Sequence, residues 1–215
     1  MCAGGGFPSA RSQKDGKKIW KAKCVSSVAL LPESVDLAIF IIPAVAVPGE
    51  LEACAKKGAK AAVVISAGFR EIGGDGLKLE SEIKRVADQY GIAMLGPNCL
   101  GIINNDAAIC MNATFSGTIP KIGKIAFLSQ SGALATALMD YARGENIGMS
   151  KVISLGNKVD VTELEVLRYL KDDLNTEVII MYLEDIVSGN EFINIAREIT
   201  GDLAKTKPIL VIKSG

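Results

Sequence analysis

The sequence predicts an α/β protein built on parallel sheet, and three observations carry that prediction. Short apolar runs of strand length recur along the chain, and helical patterns separate them. The connections between them are short, and rich in Gly, Pro, Ser and Asn. Apolar residues make up 49% of the 215 residues, enough for a well-filled core.

The first unit reads as follows. Residues 37–42 (LAIFII) form a buried strand that Pro43 and Ala44 end, and a helix follows over residues 47–57, stopped by Gly58. Residues 61–65 (AAVVI) are the next strand, followed by Ser66, Ala67, Gly68 and Phe69 and then a Gly-rich loop at residues 73–76. The helix predicted over residues 77–90 carries Leu79, Ile83, Val86 and Ala87 near helical spacing, and Gly91 ends it. A short strand at 92–95 leads into Gly96, Pro97, Asn98 and Cys99; weaker, edge-like strands are expected at 102–103 and 108–111. Residues 112–123 lack a buried pattern, and a domain boundary is expected there.

The second unit opens on KIAFLSQSGALATALMDYAR, residues 124–143. A strand at 125–128 runs into Ser129, Gln130, Ser131 and Gly132, and a helix follows from Ala133. Such a turn presents free N–H groups and the positive end of a helix dipole, which suits an anion; the plainer alternative is that Ser131 only caps the helix. Further elements are a strand at 152–155, a polar loop holding Asn157 and Asp160, a helix at 162–171, a strand at 178–183 ending in Glu184 and Asp185, a helix at 191–199 and a strand at 208–212.

In open parallel sheets, ligands bind beyond the carboxyl ends of the strands. Pro43–Ala44, Ser66–Phe69 and Gly96–Cys99 should gather there, and their small residues let backbone approach a ligand closely. Glu184 could act as a base or accept hydrogen bonds there, or be half of a solvated acidic pair. Asn98 could contact an amide-bearing ligand, or make an ordinary turn. Asn157 and Asp160 could line the cleft or make turns.

Composition removes several function classes. There is no histidine, so histidine-based nucleophilic triads, imidazole metal ligation and phosphorylation of a histidine within these residues are excluded. Basic and acidic residues number 24 each, so no nucleic-acid partner is expected. No apolar run reaches about 18 residues, so no membrane span is expected. The five cysteines are scattered, without the spacing of a metal or redox site, which fits reduced thiols, a cytoplasmic location and no metal. Cys99 reads as a packing residue. Residues 1–23 are Gly-rich, then basic, and are expected to be disordered.

Seven stretches together carry a family resemblance: VDLAIFIIPA (35–44), VVISAGF (63–69), GPNCLGI (96–102), GKIAFLSQSGAL (123–134), ISLGNKVDV (153–161), MYLEDI (181–186) and KPILVIKSG (207–215). In that order and spacing the chain resembles the ADP-forming acyl-CoA synthetases, relatives of the succinyl-CoA synthetase alpha subunit. The resemblance implies a three-layer, parallel-sheet, Rossmann-like CoA-binding domain over residues 24–117, N-terminally incomplete. A flavodoxin-like, succinyl-CoA synthetase-type domain over residues 122–215 would follow, truncated at its C-terminus.

The resemblance also implies the reaction: acyl-CoA, ADP and phosphate interconvert with acid, CoA and ATP, through an acyl phosphate and a phosphohistidine. Pro43, Ala44, Ser66, Ala67, Gly68, Pro97 and Asn98 would line the CoA and acyl site. Ser129, Ser131 and Gly132 would receive phosphate or phosphohistidine, and Glu184 would contact that histidine. An ATP-grasp, beta-type subunit or domain would supply the site for ADP or ATP with Mg, in an oligomer. The family's first strands should precede residue 35, and residues 1–23 do not match them. The phosphorylatable histidine should follow residue 215, so this chain is expected to be inactive alone. The alternative is a non-catalytic, CoA- or acyl-CoA-binding regulatory module of the protein-acyltransferase type.

Overall fold

The structure is a computed structural model, and it describes residues 18–19, 22–201 and 206–214. Two short strands, β1 (Lys18–Ile19) and β2 (Ala22–Lys23), pair antiparallel. Apart from these four, residues 1–23, for which disorder is expected, lie outside the described residues.

The first sheet holds β3 (Leu37–Phe40), β4 (Ala61–Val64) and β5 (Ala93–Leu95), all parallel and in that order. Helix α1 (Val47–Lys56) links β3 to β4, and α2 (Asp75–Tyr90) links β4 to β5. Helix α1 accepts Pro48 because its first turn needs no N–H there. Helix α2 ends on Gly91, whose left-handed backbone closes the last turn. Both helices press apolar stripes onto the sheet, burying Leu51, Phe69, Ile83 and Met94 completely.

The second sheet has six strands in the order β11-β10-β8-β9-β6-β7. The strands are β6 (Gly101–Asn104), β7 (Met111–Thr114), β8 (Lys121–Ser129), β9 (Gly148–Ser154), β10 (Val178–Leu183) and β11 (Ile209–Lys213). Strands β11, β10, β8 and β9 are parallel, whereas β6 runs antiparallel to both β9 and β7. Helices α3 (Gly132–Gly144), α4 (Glu163–Asp172) and α5 (Gly189–Gly201) make the crossovers. Thr162 and Glu165 form a capping box that starts α4.

The break between sheets falls between β5 and β6, because the β6–β7 hairpin joins the second sheet, and one expectation about that hairpin shifts. Its second strand covers residues 111–114 rather than 108–111. Asp106 makes the difference: its carbonyl accepts the N–H groups of Ile109 and Cys110, and its carboxylate that of Ala108, which curls the segment into a turn. Cys24, Cys54 and Cys99 are buried free thiols.

The sheets share a core. Val63, Leu95 and Cys99 pack with Ala126, Leu128, Ile153 and Leu155. Beside that core the loop after β9 runs along the end of β5. The Val161 N–H donates to the Met94 carbonyl, and the Asp160 carboxylate accepts the Met94 N–H at 2.8 Å. At the foot of the second sheet, buried Lys151 pairs with Asp173 at 2.5 Å. Burial pushes the Asp173 carboxyl up, but hydrogen bonds from Lys151, Thr176 and the Asn175 backbone outweigh it and hold its pKa below the usual range.

Two predictions follow from this packing. Gly156 has φ +58°, and an added Cβ would lie 2.1 Å from the Pro97 carbonyl oxygen. Gly156→Ala should therefore cost about 2 kcal/mol or more of stability, read from urea unfolding. A carboxyl with a lowered folded-state pKa stabilises the fold above its unfolded value, about 3.9, and loses that contribution as pH falls through its folded value. Stability should thus decline on acidification below about pH 4. Asp173→Asn should make that decline shallower in acid-unfolding curves.

Candidate functional site

All three predicted loops lie at the carboxyl ends of β3, β4 and β5, and contacts tie them together. The Ser66 hydroxyl accepts the Ile42 N–H at 3.0 Å and donates to the Phe40 carbonyl. The Asn98 N–H donates to the Ser66 carbonyl at 3.0 Å. A Cβ on Gly68 would lie 3.1 Å from the Ala44 Cβ, so these two loops touch. Pro43, Ala67 and Asn98 are exposed, and Ala44 and Gly68 are half-buried. Ser66 and Pro97 are buried. Gly96 holds φ +96° with the Val64 carbonyl 2.5 Å from any added Cβ, which leaves only glycine room to turn the chain there.

The second half brings its own groups to the same rim. Ser131 caps α3, its hydroxyl accepting the Leu134 N–H. Gly132 and Ala133 offer N–H groups with no partner among the described residues, so the cap and an anion-receptive helix end coexist. Ser129 is fully buried, and its hydroxyl donates to the Ser131 carbonyl and accepts the Ser131 N–H, which folds the turn. Gly132 lies against Leu100, which joins this turn to the segment after Asn98.

Glu184 is exposed, and its carboxylate has no hydrogen-bond partner among the described residues. Its backbone is held firmly. Gln130 Oε1 accepts the N–H groups of Glu184 at 2.7 Å and Asp185 at 3.1 Å, and Gln130 Nε2 donates to Asp185 Oδ1 at 2.6 Å. The hydrogen bond from Lys158 holds the Asp185 carboxyl below its usual range against the effect of burial, with Gln130 and the Arg70 charge adding to it.

Sequence reasoning missed four contributors. Lys158 and Glu163 form a buried ion pair at 2.9 Å. Glu71 accepts the N–H groups of Gly68 and Phe69 on one oxygen and Asn157 Nδ2 on the other, at 2.8 Å. Glu80 also accepts from Asn157 Nδ2, at 2.9 Å. Burial pushes the Glu71 carboxyl up, but these hydrogen bonds outweigh it and keep its pKa low. The available signal was Gly156, Asn157 and Lys158 directly after a strand, a polar run beside apolar neighbours.

Asn157, left open between cleft and turn, bridges the halves: Asn98 Nδ2 donates weakly to its Oδ1 at 3.4 Å. Asp160 binds the Met94 N–H and Lys84, which is more than a turn. Cys99 packs as expected; burial pushes its thiol up to about 12, which leaves no thiolate near neutrality. A hollow of about 440 Å³ beside Arg168, Tyr169 and Asn175 lies at the far end of α4 and meets none of these groups. Among the described residues no cluster of three or more His, Cys, Asp or Glu could hold a metal, and no helix is long and apolar enough to cross a membrane.

Comparison with known proteins also divides the chain in two, with β6 counted in the first part. Residues 11–105 match a CoA binding domain, and residues 122–215 match a succinyl-CoA ligase like flavodoxin domain. The first match starts at residue 11, so likeness reaches back into the stretch that seemed unmatched. The chain is 47% identical over 192 residues to acetate–CoA ligase [ADP-forming] I of Archaeoglobus fulgidus, covering 89% of this chain and 27% of that protein. It is 43% identical to the alpha subunit of acetate–CoA ligase [ADP-forming] I of Pyrococcus furiosus, covering 91% of this chain and 41% of that subunit. Among solved structures it resembles the dinucleotide forming acetyl-coenzyme A synthetase 1 of Ca. Korarchaeum cryptofilum in complex with phosphate and ADP. The TM-score is 0.86 at 40% identity, over 95% of this chain and 43% of that one. The chain thus spans between about a quarter and two fifths of the length of these relatives. With both domains matched in order and these likenesses running over nearly its whole length, the chain belongs to the ADP-forming acyl-CoA synthetase family.

Proposed function

We propose that the chain supplies the CoA-binding and phosphate-receiving part of an ADP-forming acyl-CoA synthetase. That enzyme would interconvert acyl-CoA, ADP and phosphate with acid, CoA and ATP. One observation carries the reading: small-residue loops at the ends of three parallel strands share a rim with a helix N-terminus and an unpartnered carboxylate. Pro43, Ala44, Ala67, Gly68 and Asn98 would line the CoA and acyl crevice, with Ser66 and Pro97 shaping it from beneath.

Phosphate would sit at the N–H groups of Gly132 and Ala133, under the cap made by Ser131, with Ser129 folding the turn. Two free backbone donors at the positive end of a 13-residue helix suit a phosphoryl group. Glu184 would accept a hydrogen bond from an imidazole carrying that group. The 215 residues hold no histidine, so the imidazole comes from outside them. ADP or ATP with Mg would bind an ATP-grasp subunit or domain, within an oligomer in the cytoplasm.

Calorimetric titration with CoA, with desulfo-CoA as the control for thiol chemistry, tests the reading. Saturable one-to-one binding of both compounds is expected. No saturable heat from a chain shown by circular dichroism to be folded would overturn it.

A further inference from the structure

We propose that Lys158 is a positioning residue that couples the loop crevice to the Glu184 platform, so that filling the crevice stiffens the platform. The inference rests on the reading of the crevice as a CoA site.

Lys158 belongs to both places at once. On either side of it, the Asn157 N–H donates to the Pro97 carbonyl at 2.8 Å and the Val159 N–H to the Gly96 carbonyl at 3.2 Å. Its backbone is thus sewn to the turn that carries Asn98. Its φ is +55°, a left-handed conformation that a long side chain adopts only when its surroundings hold it there. The side chain then turns into the interior of the second half, where it is 1% exposed.

There it meets three acceptors: Glu163 Oε2 at 2.9 Å, Asp185 Oδ1 at 2.6 Å and the Asp185 carbonyl at 3.0 Å. Glu163 reaches the same segment with its other oxygen, which accepts the Val187 N–H at 2.7 Å. Gln130 holds the N–H groups of Glu184 and Asp185 from the opposite side. Residues 184–187 are therefore braced from three directions, while the Glu184 carboxylate stays unpartnered and aimable.

The mechanical consequence follows from burial. An ammonium this deep cannot exchange an acceptor for water, so it must keep its three partners when the Gly96–Asn98 turn moves. Ordering that turn with a ligand orders residues 184–187 through one side chain, and the entropy of the second site is reduced before its own ligand arrives. A purely structural ion pair would add stability to the chain without linking the two sites.

Amide hydrogen exchange on the chain, with and without saturating CoA, separates these roles. Protection at Glu184, Asp185 and Val187 should rise about fivefold or more on CoA binding, the low end of ordinary coupling between sites. In Lys158→Met, CoA should still bind calorimetrically and the gain should vanish. Should that variant fail to fold, Asp185→Ala removes one strut at an exposed position and should shrink the gain. Binding of CoA to the unaltered chain without protection at those amides would overturn the coupling alone. An undiminished gain in either variant would do the same. Absence of CoA binding to the unaltered chain would overturn the CoA reading and the coupling with it.

Discussion

A lysine ammonium taken out of water needs acceptors on every side, and Lys158 finds them inside the second half, beneath the loop that meets the first. Two carboxylates and a carbonyl converge on it, from the start of α4 and from the segment after β10. The residues flanking it hydrogen-bond to the segment after β5. Remove the ammonium and Glu163, itself fully buried, is left as an uncompensated charge. The arrangement of the rim depends on this requirement more than on any single apolar contact, because apolar cores tolerate small sliding and a desolvated ion pair does not.

The rest of the site is built outward from that point. Gly156 permits the close approach to Pro97 that lets Asn157 and Val159 pair with the opposing turn. Asn157 then carries the connection onward to Glu71 and Glu80, and Glu71 fixes the backbone of Gly68 and Phe69. Polar side chains thus link the loop after β9 to the loop after β4. Each donor and acceptor in that path is satisfied by another member, which is the condition under which a partly buried polar network specifies one geometry.

The sequence made the elements and the rim legible, since both rest on local rules. Apolar runs of strand length, helices with caps, and Gly or Pro at their ends are read from neighbours a few residues apart, as at Gly91 and Ser131. Sheet membership was not local. The β6–β7 hairpin looks like a trailing edge of the first sheet, and it pairs with the second because β9 offers an open edge about 50 residues later in the chain. Side-chain roles were legible only in part. Ser129 and Ser131 are alike in sequence, yet one is enclosed by the turn it folds and the other faces outward at the cap. Lys158 gave almost no signal, because a lone lysine in a polar loop is usually solvated, and only the fold brings Glu163 and Asp185 to it.

The central claim is that a desolvated ion pair within the second half, rather than general packing, fixes the loop through which that half meets the first. A double-mutant cycle on Lys158 and Glu163, using Lys158→Met and Glu163→Gln with stability read from urea unfolding, tests it directly. Glutamine keeps an acceptor for the Val187 N–H. Each single change should cost about 3–5 kcal/mol, and the double variant much less than their sum, because removing both members leaves no buried charge unpaired. Costs that simply add, or single costs below about 1 kcal/mol, would contradict the account and assign the join between the halves to its apolar core.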